Sequence, residues 1–113
     1  MIGGRREIGT ITYDHTVVEF DDRTLAHLQI VIVQRLRTGD SFLMSWMNAL
    51  SVGDGRSAIW IDRTIPIRFD FAGSRAPAIN RDWLQQLERS AASSTGLVVT
   101  GEDGQLARVG ARH

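Results

Sequence analysis

Apolar positions along the chain fall into two periods, and the switches between them mark the elements. Residues 9–14 (GTITYD) and 16–20 (TVVEF) carry β-branched and aromatic residues around a short Asp14-His15 connection, which predicts a hairpin. Residues 41–47 (SFLMSWM) alternate Phe42, Met44 and Trp46 with Leu43 and Met47, so this strand is apolar on both faces. Residues 56–62 (RSAIWID) set Ile59 and Ile61 opposite Ala58 and Trp60, and Ile65, Ile67, Phe69 and Phe71 alternate with Pro66, Arg68 and Asp70. Pro66 has no N–H for a ladder, which predicts an edge position for that last strand.

Two stretches follow helical spacing instead. Asp21 reads as an N-cap, with Phe20 and Leu25 as the hydrophobic staple, and the helix is expected to reach Thr38 before Gly39 stops it. Its apolar residues, among them Leu25, Leu28, Val31, Ile32 and Leu36, cover most of the circumference and leave a polar stripe near Arg23, His27 and Gln34. A helix of that kind is covered on more than one side. The second helix starts at an Asn80 cap, with Ile79 stapled to Leu84 and Asp82 in the first turn, and is expected to end near Thr95 before Gly96. Residues 97–109 read as a closing hairpin around Asp103-Gly104.

The resulting fold class is α+β: an antiparallel or mixed sheet of about six or seven strands with two helices, in the order ββαβββαβ(β). The expected organisation is one domain over 9–109, a flexible extension at 1–8 and a frayed end at 110–113. With 42% hydrophobic residues, a chain of 113 residues has enough apolar material for a single core. No apolar run approaches the roughly 18 residues that span a bilayer, and residues 1–8 lack the apolar stretch of a signal peptide, so no membrane association and a cytoplasmic location are expected.

Composition narrows the chemistry. All 13 basic residues are arginine, and the absence of lysine removes P-loop phosphate binding, Schiff-base catalysis and nucleotide transfer through a lysine nitrogen. The absence of cysteine removes disulfides, thiolate nucleophiles and thiolate metal sites. The three histidines have no metal-ligand spacing, and only His27 sits where it can be held rigidly, so no catalytic residue, metal ligand or cofactor is assigned. A formal net charge of zero gives no whole-molecule field to gather nucleic acid, although a local patch remains compatible with it.

The segments VVEFDDRTLAHLQIVIVQRLRTGDSFLMSW, VGDGRSAIWIDRTIPIRF and SRAPAINRDWLQQL resemble a family of small uncharacterised actinobacterial proteins often labelled "ATP-dependent DNA ligase". The resemblance implies a soluble bacterial setting and supplies no mechanism. Lysine-adenylate chemistry requires Lys-x-Asp-Gly, and the nearest string here, Val52-Gly53-Asp54-Gly55, has valine in the lysine position.

Two anion-binding candidates stand out. Arg56 and Ser57 follow the glycine-rich turn at 53–55, where converging amides can hold an anion but a plain turn is the commoner outcome. Arg75 and Arg81 flank Asn80 at a helix N-terminus, where the dipole favours an anion and where Asn80 also reads simply as a cap. The second apolar side presented by Val31, Val33, Leu43, Met47 and Trp60 predicts self-association, most simply as a homodimer. The expected function is a small non-enzymatic, self-associating binding or scaffold domain. A nucleic-acid-associated accessory protein is the alternative, and a small hydrolase is third.

Overall fold

The computed structural model describes residues 7–48, 55–106 and 108–112. Strands β1 (Ile8–Tyr13) and β2 (Thr16–Asp21) pair antiparallel from Ile8↔Asp21 to Tyr13↔Thr16, joined by the predicted two-residue turn in which Asp14 takes φ 56°. Aspartate is one of the few residues besides glycine that tolerates that region, which is why so tight a turn is possible here. Helix α1 (Asp22–Arg37) begins as expected, with the Asp21 side chain accepting from Thr24 N. It ends in a Schellman motif: Asp40 N donates to Arg35 O, Gly39 N donates to Leu36 O, and Gly39 stands at φ 81°.

Strands β3 (Phe42–Asn48) and β4 (Arg56–Ile61) form an antiparallel pair, and β5 (Ile67–Asp70) pairs antiparallel with β1. Helix α2 (Arg81–Ala92) is capped by Asn80, whose side chain accepts from Trp83 N. It stops three residues short of the expected Thr95, because Ser93 turns its N–H and hydroxyl back onto Ser90 O and its hydroxyl also meets Thr95 Oγ1. Serine and threonine compete in this way with the continuing helical ladder.

The expected closing hairpin is reduced to a single bridge between Thr100 and Leu106. Strand β6 (Leu97–Val98) runs parallel to β3, and β7 (Arg108–Arg112) runs between β2, to which it is antiparallel, and β3, to which it is parallel. Residues 108–109 of β7 pair with β3 and residues 110–112 with β2, so the strand joins the two groups of strands instead of folding back as a terminal hairpin. Residues 110–112, expected to fray, are therefore part of the sheet, while His113 lies outside the described residues.

The strand order is β4-β3-β7-β2-β1-β5, with β6 also against β3, so the fold is α+β with a mixed sheet and two helices. Pro66 does precede an edge strand. The two edges of this sheet, β4 and β5, are joined by residues 62–66 alone. Six Cα steps at ~3.3–3.6 Å reach about 20–22 Å, and the edges of a flat six-stranded sheet would stand about 24 Å apart. The connector moreover contains a turn closed by Ile65 N donating to Asp62 O. The sheet is consequently strongly curved, and the Asp62 N–H reaches the Tyr13 hydroxyl of β1 at 2.7 Å.

Both helices lie on one face of this sheet. The core gathers Ile11, Tyr13, Val18, Phe20, Phe42, Met44, Trp46 and Ile61 from the strands, Leu25, Leu28, Val31 and Ile32 from α1, and Trp83, Leu87 and Ala91 from α2. Phe20 and Trp46, on strands flanking β7, meet edge to face at 6.5 Å. The nearly all-round apolar character of α1 is explained by α2 beside it: Val31, expected at an outer surface, is buried and shares a crevice with Glu88 of α2.

Candidate functional site

Two places on the molecule carry more than packing. The first is a polar network where the N-terminal turns of α1 and α2 meet. His27, expected on a polar stripe of α1, is fully buried. Its Nδ1 stands 2.7 Å from Arg23 O and its Nε2 accepts from Asn80 N at 2.9 Å. A carbonyl can only accept and an N–H can only donate, so these partners fix a neutral imidazole protonated on Nδ1. The ring also stacks on Trp83, with centroids 4.3 Å apart. Buried and with both nitrogens engaged, His27 has no lone pair to offer a substrate.

Glu102 closes the network from the far side. Its carboxylate accepts from Arg23 Nε and Nη2 at 2.9 and 2.7 Å and from Asn80 Nδ2 at 2.7 Å, while Arg23 Nη1 donates to Ala78 O. The Arg23 bonds, then the Asn80 bond, pull the Glu102 carboxyl down to about 2 from an ordinary 4.5, and the same contact raises the Arg23 guanidinium. Asn80 thus caps α2 and holds a carboxylate of the chain itself in front of that helix. Arg75 and Arg81, its expected companions, are exposed and make no ion pair among the described residues.

The structure separates the other anion candidates from this place. Arg56 and Ser57 lie on β4, with the Ser57 hydroxyl donating to Asn48 Oδ1. Of the glycine-rich turn before them, residues 53 and 54 are outside the described residues. No group of three or more histidine, aspartate or glutamate side chains able to hold a metal is present among the described residues.

The second place is the sheet face turned away from the helices. Leu43 is directly opposite Trp60, Ser45 opposite Ala58, and Met47 opposite Arg56. Leu43 is 37% exposed and Trp60 58% exposed, and Met47 is half-buried. Three of the five residues expected to mediate self-association are therefore brought together, and Arg56 joins them. Val31 is in the core, and Val33 lines a shallow groove on α1 with Gln29, Ile30, Gln34 and Arg37, away from the sheet's open face. The signal that unites Arg56 with Trp60 was present in the alternation of residues 56–62, but their neighbours Met47 and Leu43 follow only from the observed register.

Fold and surface together define a two-layer α+β domain with one sheet face open. Residues 8–102 match the model of the family described as Domain of unknown function (DUF7882), and the chain belongs to that family. No curated protein and no solved structure matches the chain. No helix among the described residues is long and apolar enough to cross a membrane.

Proposed function

We propose that this chain is a non-enzymatic, self-associating binding or scaffold domain that works as a homodimer in a bacterial cytoplasm, the bacterial setting being what the resemblance to the actinobacterial proteins implies. The observation that carries the reading is the pairing of Trp60 with Leu43 on a sheet face that no helix among the described residues covers. Indole and isobutyl groups side by side in water favour burial against another apolar surface. The ligase label attached to similar proteins is not part of the proposal, because the adenylation step needs a lysine nitrogen that this chain does not contain.

Light scattering over a dilution series tests the reading. The expected result is a mass near twice 12.6 kDa at high concentration, falling towards one chain on dilution. A constant single-chain mass over the whole series would overturn it.

A further inference from the structure

The sheet has two edges, and they are protected very differently. Strand β5 is four residues long, follows Pro66, and carries Arg68 and Asp70 paired with each other at 3.0 Å. Short length, proline and charge are the usual means by which an edge is kept from pairing with another chain. Strand β4, RSAIWI, has none of them beyond Arg56 at its start. Its six residues pair with β3 on one side, and no described residue pairs with the other.

The sequence of β4 also complements itself. A two-fold axis normal to the sheet through Ala58 sets Ala58 against the Ala58 of a second copy and Arg56 against the second copy's Trp60, at both ends. The opposed alanines are small, so nothing obstructs approach of the two backbones. The guanidinium meets an indole that is 58% exposed in the single chain, an arrangement favoured by cation–π attraction. On the other face the same register sets Ser57 against Ile59.

We infer that two copies of this chain associate by antiparallel pairing of β4 with β4 about Ala58, with Arg56 of each copy stacked on Trp60 of the other, extending the curved sheet across the dimer. The inference rests on the reading that the chain self-associates and places the contact at the edge of the exposed face, where Arg56 of the other copy covers Trp60 while Leu43 stays on the open side. The partner is thereby specified: a second copy, in one register, through one edge.

The chain contains no cysteine, so single cysteines can be introduced without background. Directly opposed residues in an antiparallel pair have Cα atoms about 4.5–5.5 Å apart, inside the range of about 4.4–6.8 Å that a disulfide spans. Under mild oxidation of dilute protein, Ala58→Cys is expected to convert to a covalent dimer and Arg68→Cys on β5 is not. In parallel, Trp60→Lys sets a cation opposite Arg56 and is expected to raise the dimer dissociation constant at least about ten-fold. Adding Arg56→Glu to it restores opposite charges and is expected to recover the affinity, which a loss through misfolding would not. A wild-type dimer in which Ala58→Cys fails to link and the charge exchange fails to rescue would overturn the β4 geometry while leaving self-association in place. A wild-type chain that stays monomeric up to about 1 mM would remove both.

Discussion

His27 has committed both ring nitrogens to backbone groups of two different elements, Arg23 O in α1 and Asn80 N at the start of α2. Truncation to alanine removes an acceptor from the part-buried Asn80 N–H and opens a cavity beside Trp83. His27→Ala is expected to cost about 3–5 kcal/mol in urea denaturation, the combined scale of an orphaned donor and a large-to-small change. Glu102 acts in the opposite environment, at an exposed surface. Its folded value of about 2 lies below the ordinary 4.5, so the ionised form is favoured by folding. Its contribution is present above about pH 4.5 and disappears as the pH falls from there through about 2. Denaturation midpoints measured over that range should fall for the native chain and fall less steeply for Glu102→Gln. The difference should shrink in high salt, since an exposed pair is screened.

At the scale of elements, the first turn of α1 shows how much a sequence can disclose. Asp21 is legible as a cap because its partner, Thr24 N, is three residues away. Asp22, next to it, is buried and accepts from Ala72 N and Gly73 N at 3.0 and 2.8 Å, tying the helix start to a loop 50 residues downstream. Asp22→Ala should cost about 1–3 kcal/mol and speed hydrogen exchange at the amides of Ala72 and Gly73 well above the change elsewhere. Nothing local distinguishes the two aspartates. The same division runs through the chain: Asn80, Gly39 and the alternating strands were legible because their causes lie within a few residues. The paths of β6 and β7 were not, because the unpaired sides of β2 and β3 exist only once the sheet has formed. Leu43, Met47 and Trp60 were recognised as outward-facing from alternation, but Val31 was misplaced, since whether α2 covers it is decided by packing. His27 was missed as a bridge for a related reason: a single histidine in a helix gives no sign that a distant backbone N–H needs an acceptor.

For the molecule as a whole, the short link between β4 and β5 bends the sheet, and the bend gathers Tyr13, Asp62 and both helices over one core. With both helices on one side, the other face keeps its apolar residues in the open. The position of β7 carries a further consequence. It is the last strand in chain order, yet it lies in the middle of the sheet, between strands made much earlier. As the polypeptide is synthesised, β2 and β3 leave the ribosome without their common neighbour. The β2 edge then stays open until some 60 further residues beyond β3 have followed, and the β3 edge is closed in two parts, by β6 at Met44 and Ser45 and then by β7 at Met47 and Asn48. The hairpins β1–β2 and β3–β4 can form early because their contacts are local, but their union waits on a long-range closure, which is the slow kind. During that interval the nascent chain has its greatest opportunity to pair wrongly.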